Sequence, residues 1–268
     1  SSVTSGFTVF NPNTINNLQL WLNADMGITK GLGDSVSLWE DLYSSNIGFS
    51  QSITGSKPLW KDSVLNDHPV IRFDGTDDFL SAGDTLDIDT NSRTIFFVGK
   101  SNSATGSFLA KSLAAAVSNR FSILRSSGDV QFFYQDDATH IVSFPDLFGD
   151  FDIYTGMIDR DTPEISLLLN SNVVGSAGIT GSSWNFNSSF RYLIGAYNDA
   201  SDVGIAFPLD GDIAEIIIFD EALNDSDRIM VEQYLRYKYS PPVNLGPDIT
   251  LDGFCDTALS AGERFVDY

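Results

Sequence analysis

Apolar and polar residues alternate along much of this chain, and the alternation recurs in short runs. LQLWLNAD (Leu18–Asp25) is the first, followed by PVIRF (Pro69–Phe73) and TIFFVGK (Thr94–Lys100). RFSILRS, VQFFYQ and THIVSF lie between Arg120 and Phe144. FDIYTGMID (Phe151–Asp159), ISLLL (Ile165–Leu169), FRYLIGAY (Phe190–Tyr197) and DIAEIIIFD (Asp212–Asp220) complete the series. The runs are rich in Phe, Ile, Val, Tyr and Thr, and Gly, Asn, Asp, Ser and Pro separate them, which is the signature of strands and turns. About a dozen strands at this spacing predict an all-β fold, a two-sheet antiparallel sandwich or jelly roll.

Two hairpins are legible. In LLLNSNVV, Asn170, Ser171 and Asn172 separate two apolar runs, and Asn tolerates the positive φ of a tight turn. Ser126-Ser127-Gly128-Asp129 plays the same part between RFSIL and VQFFYQ.

The period changes once. After Asp220, EALNDSDRIMVEQYLRYKYS places Met230, Val231, Tyr234, Leu235 and Tyr237 at helical spacing. Asn224 or Ser226 is the N-cap, Asp225 and Asp227 suit the first turn, and Arg236 and Lys238 suit the last. Pro241-Pro242 stops this one short C-terminal helix. Its apolar stripe is expected to seal one end of the sandwich.

Residues 1–240 thus form one domain, and 241–268 read as a linker plus the truncated start of another repeat. Some 26 residues are too few for a core of their own.

Composition narrows the function. Of the 268 residues, 36 are Asp or Glu and 15 are Lys or Arg, a formal net charge of -21. Such a surface repels phosphate backbones and anionic lipids, which disfavours nucleic acid and membrane surfaces as partners. No apolar run reaches the ~18 residues of a membrane span. Cys255 is the single cysteine, so neither an internal disulfide nor a Cys-paired zinc site is available. His68 and His140 are the two histidines, and no G-x-S-x-G nucleophile elbow occurs.

The ordered set LQLWLNAD, SLWEDL (Ser37–Leu42), PVIRFDGTDDFL (Pro69–Leu80), TIFFVGK and DGDIAEIIIFDEALNDSDRIMVEQYLRYKY (Asp210–Tyr239) resembles the concanavalin-A-like, laminin-G-like domains of many secreted bacterial proteins. The tail, with LGPDITLDGFC and LSAGERF, resembles the first strands of Ig-like repeats in surface proteins of Bacteroidetes-type bacteria. The resemblance implies a jelly-roll sandwich in a secreted or cell-surface protein with other domains in the same chain. One fold hosts many sites, so it implies function only loosely.

Within that frame, Trp21 and Trp39 are expected in the core. Trp60 (KPLWK) and Trp184 (GSSWNFN) fall in segments that read as loops, where an indole offers a flat apolar face to a sugar ring. Asn185 and Asn187 flank Trp184 and can hydrogen-bond hydroxyls. The same tryptophans serve equally as anchors packed on their own loops. Asp77 and Asp78, in FDGTDDFL, are the candidate Ca²⁺ ligands, with Gly75 allowing a sharp turn. The competing reading is an Asx-type turn with its acids in water.

Asp210-Gly-Asp212-Ile-Ala-Glu215 resembles the paired-carboxylate strand of jelly-roll β-glucanases, and it carries the alternative of a glycoside hydrolase or polysaccharide lyase. Retaining chemistry needs the two carboxyls ~5–5.5 Å apart. Asp210 and Asp212 share a strand face and Glu215 has the opposite parity, so only a β-bulge would bring it round. A non-catalytic carbohydrate-binding or adhesion module is therefore the leading expectation, with a polysaccharide or glycan as partner. A structural or protein-interaction spacer is the third possibility.

Overall fold

The computed structural model describes residues 10–44, 46–114, 119–145, 149–180 and 187–239. These residues form two antiparallel sheets packed face to face, a two-stranded flap and one α-helix. Across the first sheet the strands run Asn172–Gly178, Glu164–Leu169, Asp152–Asp159, Arg93–Ser101, Asp210–Phe219, His68–Asp74 and Leu59–Leu65. Across the second they run Thr139–Pro145, Asp129–Gln135, Arg120–Ser126, Gly106–Lys111, Tyr192–Ile194, Leu80–Ser81, Gly48–Ser50, Val36–Glu40 and Ile28–Lys30. The chain passes back and forth between the sheets, as a jelly roll does. The expected all-β sandwich with one C-terminal helix is the observed architecture. The linker and repeat expected over 241–268 lie outside the described residues.

The central strand, Asp210–Phe219, pairs along one edge with Arg93–Ser101. Its other edge is shared. His68–Asp74 pairs with Asp210 to Ile213, and Leu18–Asn23 with Glu215 to Phe219. Gly211 is required where this strand meets Lys100, because a Cβ there would lie 2.1 Å from the Lys100 carbonyl oxygen.

Inward side chains from both sheets make the main core. Leu20, Phe73, Phe97 and Ile216 of the first sheet meet Trp39, Phe108, Phe121 and Phe132 of the second. Phe97 and Tyr154 stack at 4.6 Å between centroids. A second core lies on the outer face of the first sheet. Here Phe96, Val98, Ala214, Ile217 and Phe219 pack under Val231, Leu235 and Tyr239 of helix α1 (Asp225–Tyr239). The helix therefore covers a sheet face and does not seal an end of the sandwich. Burial on both faces explains why TIFFV and IIIF are continuous apolar runs where a half-exposed strand would alternate.

Asn224 caps the helix, its Oδ1 accepting from the Asp227 N–H at 3.1 Å. Arg228 pairs with Glu232 at 2.8 Å, and Glu232 also accepts from the Thr155 hydroxyl at 3.1 Å. Both expected hairpins form. Asn170 and Ser171 have φ of 49° and 73°, and Ser127 and Gly128 of 56° and 95°, the left-handed pairs that match strand twist. The single strand expected over 190–197 is broken at Gly195, whose φ is +82°. A Cβ on Gly195 would lie 2.2 Å from the Phe73 ring. Beyond it, Tyr197–Asn198 leaves the sheet to pair with Ile205–Ala206 as the flap. No described helix is long and apolar enough to cross a membrane.

Candidate functional site

Helix α1 carries two stripes. Val231, Leu235 and Tyr239 are buried. Met230, Gln233, Tyr234, Tyr237 and Lys238, spaced i, i+3, i+4, i+7 and i+8, line a cleft of about 900 Å³. The opposite wall comprises Phe10 and Asn11, Trp21 and Asn23 of the Leu18–Asn23 strand, Asp25 and Met26 of the following turn, and His68. The expected single apolar stripe of the helix is thus divided. Tyr237 is 85% exposed, where burial would be the consequence of a core role.

The cleft rests on a buried carboxylate. Glu215 is fully buried and accepts four hydrogen bonds. Its Oε1 receives the Trp21 indole N–H at 2.6 Å and the Tyr234 hydroxyl at 2.9 Å. Its Oε2 receives the Lys238 ammonium at 2.7 Å and the Tyr239 hydroxyl at 2.7 Å. Burial, with the Glu215 charge beside them, pushes both phenols far above their ordinary range. Lys238 also bonds Asp25 at 2.9 Å, and Asp25 bonds Nδ1 of His68 at 3.0 Å. Partial burial pushes the Asp25 carboxyl up, but the hydrogen bonds of His68 and Lys238 outweigh it and leave the group below the usual carboxylate range.

The bulge that the parity argument demanded is present. The ladder between the central strand and Arg93–Ser101 slips at Ala214, so that Ile213 pairs with Gly99 and Glu215 with Val98. Ile213 and Ile216 point into the main core, while Ala214 lies in the outer one. Glu215 reaches the helix side of the sheet as a result, with Asp212 on that side too. Asp212 is fully buried and held bidentately by Arg72 at 2.7 and 2.9 Å, with Lys100 at 3.6 Å. Each carboxylate is held by its own fixed donors. Asp210 accepts from the Asn102 amide at 3.0 Å.

The other sequence candidates are dispersed. Trp60 is not in a loop. It belongs to the Leu59–Leu65 strand, packs against the main core, donates its indole N–H to the Ala24 carbonyl at 2.9 Å, and lies 3.4 Å beneath the Lys30 ammonium. Trp184 and Asn185 lie outside the described residues. Asn187 donates to Asp89 at 3.1 Å. Trp39 is buried as expected. Trp21 is half-buried on the helix side, where it packs against the outer core and also lines the cleft. Its signal was present in LQLWLN: Leu20 and Leu22 point into the main core, so Trp21 has the outward parity.

Asp77 and Asp78 are joined by Asp74, and carboxylate oxygens of the three lie within 4.8 Å of one another. The turn is an Asx-type one: Asp74 Oδ1 accepts from the Thr76 N–H at 2.8 Å, and Gly75 has φ of +75°. Asp77 accepts from the Ser56 hydroxyl at 2.8 Å. Burial, followed by the charges of Asp74 and Asp77, pushes the Asp78 carboxyl up to about 6.

No protein-family model matches the chain, and no curated protein matches it in sequence. Solved structures do match its fold. The binding domain of Paraclostridial Mosquitocidal Protein 1 superposes with a TM-score of 0.57 at 12% identity, over 81% of this chain and 52% of that one. A mutant of HCR/D gives a TM-score of 0.57 at 12% identity, over 85% of this chain and 56% of that one. The NanB sialidase of Streptococcus pneumoniae is similar at a TM-score of 0.45 and 21% identity over 55% of this chain, which spans only 26% of the sialidase. At 12% identity the likeness to the first two is one of fold, a two-sheet β-sandwich.

Proposed function

We propose that the chain is a non-catalytic carbohydrate-binding or adhesion module of a larger secreted or cell-surface protein, with its glycan in the cleft beside helix α1. The observation that carries this reading is the composition of the cleft. Aromatic side chains of Trp21, Tyr234 and Tyr237 stand among Asn11, Asp25 and Gln233. Sugars present an apolar C–H face and a rim of hydroxyls, so aromatic faces beside amides and a carboxylate match both parts. The carboxylates of the alternative hydrolase reading, Asp212 and Glu215, are instead engaged in holding strand to strand and helix to sheet.

Tyr237→Ala is the test. The side chain is exposed, so its loss should leave the thermal transition in place. Truncating an aromatic at the centre of an interface costs roughly 2 kcal/mol or more, about thirtyfold in affinity. A glycan that scores on an array with the wild-type domain should lose about that much with the variant, by titration calorimetry. Unchanged binding would remove the cleft from the reading, and loss with Trp184→Ala instead would move the glycan to the loop around that residue.

Calcium at Asp74, Asp77 and Asp78 is part of the same proposal. Because folding raises the Asp78 pKa, the folded state favours the protonated carboxyl, and the stability this group contributes falls as pH rises through about 6. A divalent cation would take the place of that proton. At neutral pH the melting temperature should rise with millimolar calcium over chelator. Asp78→Asn should raise it in chelator and abolish the response to calcium. Identical melting with and without calcium would leave these residues as a solvated turn.

A further inference from the structure

We infer that the cleft selects an uncharged glycan and rejects acidic ones, an inference that rests on the glycan-binding reading above. Among the described residues that line the cleft, Lys238 is the one Lys or Arg. An ammonium has three protons to donate. Lys238 Nζ lies 2.9 Å from Asp25, 2.7 Å from Glu215 and 3.5 Å from the Tyr234 hydroxyl. Its donors are directed inward to groups of the protein. His68, the other base, directs Nδ1 at both Asp25 oxygens, at 3.0 and 3.1 Å. Asp25 is held ionised by these contacts. Asp25 and Glu215 thus set two carboxylates against the one ammonium at the cleft floor.

A sugar carboxylate or sulfate entering here would meet those carboxylates with no cation to receive it. To gain Lys238 it would have to displace Asp25, leaving the half-buried Asp25 carboxylate with His68 as its remaining partner. Arg72 and Lys100 both face Asp212. The net charge of -21 adds repulsion at longer range. An uncharged hydroxyl meets none of this. It donates to Asp25 and exchanges hydrogen bonds with the exposed amides of Asn11 and Gln233, while the ring lies against Tyr234 and Tyr237.

The test compares a neutral hexose oligosaccharide with the same oligosaccharide carrying one residue oxidised to the uronic acid. Both are titrated into the wild-type domain, Tyr237→Ala and Asp25→Asn at low and high salt. The neutral member is expected to bind roughly tenfold tighter or more at low salt, with the gap shrinking as salt screens the cleft. Asp25→Asn, which releases Lys238, should narrow the gap at any salt concentration. Equal or tighter binding of the acidic member, still lost in Tyr237→Ala, would overturn the inference and leave the glycan reading standing. Binding of neither member would overturn both.

Discussion

Glu215→Ala is expected to cost about 3–5 kcal/mol, the range for removing one partner from a buried, ion-paired carboxylate. Glu215 ties together three elements that a strand ladder and the outer core also bring together. Trp21 comes from the Leu18–Asn23 strand, Tyr234, Lys238 and Tyr239 from the helix, and the carboxylate from the central strand. Alanine leaves the Tyr239 hydroxyl, at a residue only 2% exposed, without its acceptor. It also strands the indole N–H of Trp21 and leaves the Lys238 ammonium with Asp25 alone as a charged partner. Each orphaned donor carries its own desolvation penalty. Glu215→Gln keeps the volume and one acceptor oxygen but turns an amide NH₂ toward a donor, so it should fall between alanine and wild type. Chemical denaturation measures both. A loss below about 1 kcal/mol for the alanine variant would mean that water substitutes for the carboxylate and that the network does not hold the helix.

The difference between what was legible in the sequence and what was not follows from how each signal arises. The patterned runs and both hairpins are legible because period-two patterning and left-handed turn residues are local, while short strands such as Gly48–Ser50 and Gly106–Lys111 carry no such pattern. The N-cap is legible as Asn224 or Ser226 for the same reason, and the structure selects Asn224. The face covered by the helix is not legible, because a doubly buried strand such as IIIF loses its alternation and no longer says which neighbour lies on which side. Trp60 was misread because Gly, Ser and Lys around it look like loop chemistry. Pairing of Leu59–Leu65 with His68–Asp74 overrides that local preference. The cleft was half legible. The outward parity of Trp21 and the i, i+3 spacing of Tyr234 and Tyr237 both stand in the sequence. The carboxylate that joins Trp21 to Tyr234, Glu215, arrives through a bulge at Ala214 that no residue type announces, and in the sequence it reads as a catalytic group.

Leu235→Ala is expected to destabilise the domain by about 2–5 kcal/mol, the range for truncating a fully buried leucine. The side chain is 0% exposed in the outer core, in a cluster with Phe96, Val98, Ala214, Ile217 and Phe219 of the sheet. The sheet cannot easily collapse onto the vacated volume, because its other face is fixed by the main core and its strands by their ladders. The cost should therefore sit toward the upper part of the range. Ile229 is the control on the same helix. It is 42% exposed, and alanine there should change stability by less than about 0.5 kcal/mol. The two variants separate the helix as a second structural layer from the helix as an appendage, since an appendage would make both changes small. The result also bears on the cleft. Met230, Tyr234 and Tyr237 ride on the helix that the buried stripe docks, so loosening Leu235 should weaken glycan binding even though Leu235 does not line the cleft. Full affinity in a Leu235→Ala domain that has lost the expected stability would show that the cleft wall does not depend on how tightly the helix is docked.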